Sequence, residues 1–238
     1  MSETIKTWLN VLRDDWRLLT FRLTREEFLA FSYKHLVFGL LFTWLVGIGR
    51  YWDNPRVEFL QKLGIGSVIY VCLLSLFLLI LISPLKAKDW SYTRVLTFVS
   101  LVSPPAILYA IPVENFFDLR TSNTLNAWFL LIVALWRVAL LIFALRRFFS
   151  LDWLSTITAT FLPIILIIVS LVFLNLERVV FNFMGGLRDE SPNDAAYGVL
   201  FIISVFSIIL SPIFLIGYIV LIVKARSQPV SIKDGSEN

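Results

Sequence analysis

Six blocks of apolar residues separated by polar stretches decide what this chain can fold into. They run from Leu36 to Gly49, Ile65 to Ile82, Val95 to Pro112, Ala127 to Leu145, Leu154 to Leu176 and Tyr197 to Val223. A helix needs about 20 apolar residues to cross the hydrocarbon layer of a bilayer. The first block is short for that unless it extends back through Leu29, Ala30 and Phe31, with Lys34 and His35 turning their polar ends to the surface. With 58% hydrophobic and 16% charged residues in 238, the composition excludes an ordinary water-soluble domain. The expectation is an all-α, polytopic transmembrane helical bundle of about six spans with an amphipathic N-terminal helix. It divides the chain into a cytoplasmic N-terminal segment 1–28, a bundle over 29–224 and a polar cytoplasmic tail over 225–238.

Lysine and arginine placement sets the expected orientation. If the N-terminus is inside, fourteen basic residues face the cytoplasm: Lys6, Arg13, Arg17, Arg22, Arg25, Lys34, Lys86, Lys88, Arg94, Arg146, Arg147, Lys224, Arg226 and Lys233. Six fall outside: Arg50, Arg56, Lys62, Arg120, Arg178 and Arg188. That asymmetry predicts both termini in the cytoplasm, as an even number of spans requires. The net charge of +4 then reads as topology plus attraction to anionic lipid, not as nucleic-acid binding. No cleavable signal peptide is legible in the charged first 28 residues, so the first span is expected to act as the signal.

Within that first segment Ile5, Trp8, Leu9, Leu12, Trp16, Leu19 and Leu23 recur at three- and four-residue steps, with Lys6, Arg13 and Arg17 between them. Such a stripe suits a helix lying in the anionic headgroup plane, or one packed on the protein's own loops. Thr24 followed by Glu27 forms a capping box where a new helix should start. Cys72 is the only cysteine and His35 the only histidine, so neither an intramolecular disulfide nor a zinc site is expected.

Arg137 is the strongest functional lead. It lies near the middle of the fourth apolar block, and no acidic residue occurs at comparable depth in any other block. Placing a charge there costs about 2.5 to over 10 kcal/mol, so the side chain must face the bundle interior, a wet cavity or a headgroup. Prolines supply one class of partner, because each frees the carbonyl four residues earlier. Ser103-Pro104-Pro105, Pro163 and Ser211-Pro212 should free carbonyls near Ser100, Leu101, Ala159 and Ile208, which five guanidinium donors could bridge. Arg137 with Ser103 and Ser211 therefore reads either as a helix fastener or as a midplane site for an anion. If the chain is two three-helix halves, the Ser-Pro breaks of the third and sixth spans correspond, each followed by a tyrosine, Tyr109 or Tyr218. Such paired breaks are a transporter pattern.

A second polar group collects on the predicted outer face. Arg50, Asp53, Glu114, Asp118 and Glu177 lie at helix ends or in loops, where eight of the 17 acidic residues fall. They read as ion pairs between span ends or as a site for a cation or polar substrate. Gly47 and Gly49 suit close helix approach. Nothing in the sequence matches a catalytic, nucleotide-binding or metal-binding motif, so no enzyme, cofactor or metal is expected.

The apolar span ending in Leu145-Arg146-Arg147-Phe148-Phe149-Ser150-Leu151, followed at once by a span with Thr158, Thr160 and Pro163, resembles the middle of bacterial members of the Yip family, named for Ypt-interacting proteins. The resemblance covers residues 127–172. It implies a compact bundle, typically of five spans, with eukaryotic relatives that help organise vesicle membranes through small GTPases. A count of six and the long basic N-terminus depart from that pattern. The expected function is a non-enzymatic scaffold or subunit of a membrane complex in a bacterial plasma (inner) membrane, engaging a membrane-protein partner or a second copy of itself. The alternative is a small transporter or channel with an anion site near Arg137.

Overall fold

The computed structural model describes residues 3–52, 59–176, 179–180 and 195–227, and over these the chain is all-helical, with no strand. The helices are α1 (Glu3–Leu19), α2 (Arg25–Leu29), α3 (Tyr33–Gly49), α4 (Phe59–Lys62), α5 (Ile65–Ile82), α6 (Tyr92–Leu101), α7 (Leu119–Arg147), α8 (Trp153–Phe173) and α9 (Ala195–Ser227). Among the described residues, four stretches are long and apolar enough to cross a membrane: Ile65–Leu85, Arg120–Arg147, Trp153–Phe173 and Gly198–Ser227. A helical form is what lipid demands, since every backbone N–H and C=O must find its partner inside the segment. The bent pair Tyr92–Leu101 and Pro104–Asn115 is a fifth candidate, with 44° between its halves. α3 is apolar but has 17 residues, about 26 Å of helix.

Side-chain caps fix where several helices begin. Thr24 and Glu27 make the expected reciprocal capping box on α2, and Ser32 with His35 makes a second on α3. Asp118 and Asp152 accept the Thr121 and Ser155 backbone N–H groups that start α7 and α8. Each satisfies donors that a helix N-terminus leaves unpaired.

The prolines act differently from one another. At Ser103-Pro104-Pro105 the helix ends, and residues Pro104–Ala110 continue as a 3₁₀ turn. Pro163 and Pro212 stay inside α8 and α9. In α9 the Ser211 hydroxyl donates to the Ile208 carbonyl at 2.9 Å, so that carbonyl is occupied by its own helix. The third and sixth blocks are therefore not matching broken helices, and the expected correspondence between two halves does not hold at these sites.

Close packing around α3 rests on small residues. A Cβ on Gly39 would lie 2.4 Å from the Ser100 hydroxyl, and one on Gly47 2.6 Å from the Ser67 hydroxyl. Gly64 is needed twice over: its φ is +68°, and a Cβ would meet the Trp44 carbonyl at 2.6 Å. Trp44 in turn donates its indole N–H to the Leu63 carbonyl at 2.7 Å, tying the start of α5 to α3.

The apolar core is unevenly divided. Its main cluster gathers Leu18, Leu23, Phe28, Leu85, Val95, Phe148 and Phe149 with α5, α6 and α7 residues. It lies at the end of the bundle that carries the basic 86–94 and 146–152 connections. Phe28 stacks on Phe148 with centroids 4.4 Å apart, and Arg25 reaches both the Phe148 carbonyl (2.9 Å) and Asp89 (2.6 Å). A second, small cluster of Val46, Ala106 and Val133 holds the other half. The stripe read in α1 is split by this packing. Of its residues Leu19 and Leu23 are buried, beside Val11 and Leu18 from outside the stripe, whereas Ile5, Trp8, Leu9, Leu12 and Trp16 remain exposed. α9 packs chiefly along α8 and leaves Phe201, Ile202, Phe206, Ile209, Ile213 and Ile216 facing outward.

Candidate anion-binding site

Where the smaller core cluster thins out, α3, α5, α7 and the break after α6 enclose a cavity of about 270 Å³. α3 supplies Thr43, Val46 and Arg50; α5 supplies Gly66, Ser67, Tyr70 and Val71; the break supplies Ser103 and Ala106; α7 supplies Arg137. Helical side chains lean toward the N-terminus of their own helix. On α7 that direction carries Arg137 away from the basic connections and into this half of the bundle. Its Nε donates to the Val102 carbonyl at 3.2 Å. The acceptor is one residue beyond the carbonyls expected from proline geometry, because the chain turns into a 3₁₀ arrangement at that point.

Arg50 comes to the same place from the end of α3. Its guanidinium carbon sits 4.6 Å from the centre of the Tyr109 ring, a cation–π distance, while its buried Nε has no hydrogen-bond partner. Tyr109 lies within electrostatic range of both arginines, and the two arginines lie within range of each other. No carboxylate among the described residues lines the cavity. Among the described residues, two like charges thus face one space with no carboxylate on its wall, and an anion is a species that would lower their energy.

Thr43 donates to the Gly39 carbonyl at 2.8 Å and meets the Ser103 hydroxyl at 2.7 Å, a contact in which either hydroxyl can donate. Ser103 is buried and forms part of the wall beside the break.

The other residues singled out from the sequence lie elsewhere. Ser211 is on α9, bonded to its own helix, and does not line the cavity. Glu114 accepts from the Asn126 amide at 2.9 Å, linking the 3₁₀ turn Val113–Asn115 to α7. Asp118 caps α7 through the Thr121 hydroxyl (2.6 Å) and N–H (3.2 Å), and these bonds hold its carboxyl below the usual aspartate range. Asp53 and Glu177 lie outside the described residues. Of the proposed outer cluster, then, Arg50 joins Arg137 at the cavity, and Glu114 and Asp118 serve the start of α7. Tyr70, Ser67 and Thr43 were not read as site residues. A four-residue spacing, Gly39, Thr43, Gly47, marks the inward face of α3 and could have drawn attention to Thr43 and, on the next turn, Arg50.

A separate polar cluster lies where α1 meets α3. His35 is buried, stacks on Phe31 with centroids 4.1 Å apart, and places Nε2 3.4 Å from Asp14. The adjacent Asp15 is buried with its Oδ1 unpartnered, and burial pushes its carboxyl up to about 7. The basic residues nearby are largely engaged: Arg13 with Asp14, Arg17 with Glu27, Arg25 and Arg94 with Asp89. Among the described residues no group of His, Cys, Asp and Glu could hold a metal ion. No protein-family model, curated protein or solved structure matches the chain.

Proposed function

We propose that this chain is a six-span integral membrane protein that takes an anionic group into the cavity between Arg50 and Arg137, as a small transporter or channel does. The observation that carries this reading is the pair of guanidiniums facing one cavity with no carboxylate among its described lining residues. In the six-span arrangement α3 and the bent pair Tyr92–Asn115 complete the set begun by the four long apolar helices. Both chain ends then lie on the basic, cytoplasmic side of a bacterial plasma membrane, and the cavity opens toward the other half of the bilayer. The exposed Ile5, Leu9, Leu12 and Trp16 face of α1 rests in the cytoplasmic headgroup layer. Apolar burial contributes most of that attachment, because residues 1–28 carry five basic and five acidic side chains and several basic ones are already paired.

A second reading, a non-enzymatic scaffold or complex subunit, is favoured by the long outward apolar side of α9. The Yip-like stretch at residues 127–172 points the same way. The two readings differ in whether the cavity is reached from water. Single cysteines at Ser67 and Ser103, in a Cys72→Ala background, report on this. Labelling of S67C by a membrane-impermeant thiol reagent, slowed by added anions, is expected. If neither variant reacts from either side of sealed vesicles, the transport reading fails and the scaffold reading stands.

A further inference from the structure

The chemistry of the anion can be narrowed, and the inference rests on the reading of the cavity as an anion site. A planar carboxylate is matched by one guanidinium, which grips its two oxygens in a single plane. Here two guanidiniums arrive from different helices, Arg50 from the end of α3 and Arg137 from the body of α7. Arg137 has Nε turned to the Val102 carbonyl, and Arg50 is held over the Tyr109 ring. A carboxylate confines its acceptor lone pairs to one plane, so it is the less adaptable match to donors arriving from two helices. A tetrahedral phosphoryl group presents non-bridging oxygens in different directions, so it can bridge two donors on separate walls, and its charge suits a site with two cations.

The cavity wall on α5 is open. Tyr70 lines the cavity yet is 44% exposed, and it belongs to the membrane-crossing stretch Ile65–Leu85. One turn earlier, no atom of the described residues lies within 4 Å of where a Cβ on Gly66 would stand. A phosphoryl group can therefore arrive along the face of α5. We infer that the Arg50–Arg137 cavity is a phosphoryl-binding site, taking either free phosphate or the headgroup phosphate of a phospholipid.

The test measures binding of inorganic phosphate, acetate and chloride to the delipidated, detergent-solubilised full chain. In parallel, native mass spectrometry of gently extracted protein reads retained phospholipid. The same measurements are made on the Arg50→Gln, Arg137→Gln double variant, with circular dichroism to establish that it is folded. The expected result is phosphate binding at least tenfold tighter than acetate or chloride, or retained phospholipid that phosphate displaces, either signal being lost in the double variant. Free phosphate is the ligand if only the first signal appears, and a lipid headgroup if the second does. Acetate or chloride binding as tightly as phosphate, with no retained lipid, overturns the phosphoryl assignment and leaves the anion reading intact. Absence of any bound anion or lipid, or binding unchanged in a folded double variant, overturns both. If the double variant does not fold, the single Arg50→Lys substitution carries the comparison: it keeps the charge and loses the fork, so phosphate affinity is expected to fall several-fold, and unchanged affinity overturns the inference.

Discussion

Replacing Arg137 with leucine separates a binding role from a fastening one, because the two roles predict opposite balances. The substitution removes a hydrogen bond from a charged donor to the Val102 carbonyl, worth about 1.5 to 3 kcal/mol. It also leaves that carbonyl unsatisfied, at about 1 to 3 kcal/mol. Against this, it abolishes the insertion of a guanidinium at mid-membrane depth, whose cost starts at about 2.5 kcal/mol and rises beyond 10. The low end of the insertion cost already offsets most of the loss. R137L without bound anion is therefore expected to be at most about 3.5 kcal/mol less stable than wild type, the largest loss less the smallest insertion cost. The binding role shows itself when ligand is present. An anion at a hundredfold its Kd stabilises the native state by about 2.7 kcal/mol. For a chain of this size that corresponds to a Tm shift of roughly 5–10 °C in wild type and none in R137L. Thermal unfolding in detergent, with and without phosphate, reads both quantities. A loss above about 4 kcal/mol in the anion-free variant, beyond what these ranges allow, would refute the reasoning and make Arg137 a fastener. So would an undiminished phosphate shift.

Three further outcomes follow from the packing and the electrostatics. Asp15 is held neutral by burial with its carboxyl near 7, so the folded state binds a proton that the unfolded chain releases near 3.8. Its contribution to stability is present below that unfolded value and declines as pH rises toward 7, by up to roughly 4 kcal/mol; D15N should remove this decline, and parallel slopes for the two proteins in melts between pH 4 and 8 would contradict it. Gly39→Leu places a side chain where even a Cβ lies 2.4 Å from the Ser100 hydroxyl, so α3 must move off α6, at a cost of about 1 to 3 kcal/mol in denaturant titrations. Phe28→Ala empties the stack on Phe148 and is expected to destabilise by about 3 to 5 kcal/mol, whereas an exposed residue of α9 such as Ile216→Ala should change stability by less than about 0.5 kcal/mol if it faces only lipid or detergent.

The helical form of this protein was legible because apolar block length is a strong signal, and helix covers most of the described residues of each of the six blocks, the third being broken at Val102–Ser103. The Thr24–Glu27 cap was equally readable, since it depends on two side chains three residues apart. Proline was a weaker guide. The same Ser-Pro pair ends a helix at Pro104, where a second proline follows, and is absorbed at Pro212, where the Ser211 hydroxyl takes the Ile208 carbonyl. That outcome depends on neighbouring residues and packing, which a single motif does not encode. Arg137 could be recognised as a charge in need of partners, but its partners could not be named. Arg50 looked like a residue of the outer loops because it stands at a helix end, and only the close approach of α3 to α5 and to the segment after α6 brings it to the cavity. Tyr70 and Ser67 carried no sequence signal, since their role comes entirely from the orientation of α5.

The central claim is that Arg50 and Arg137 hold one anion together, and a double-mutant cycle on phosphate binding tests it most directly. Wild type, Arg50→Gln, Arg137→Gln and the double variant would be titrated with phosphate by equilibrium dialysis of the purified, delipidated chain. One phosphate per chain is expected in wild type, with each single substitution weakening it at least tenfold and the double variant little weaker than either single, because the site acts as a unit. Single variants that bind as tightly as wild type would contradict the account.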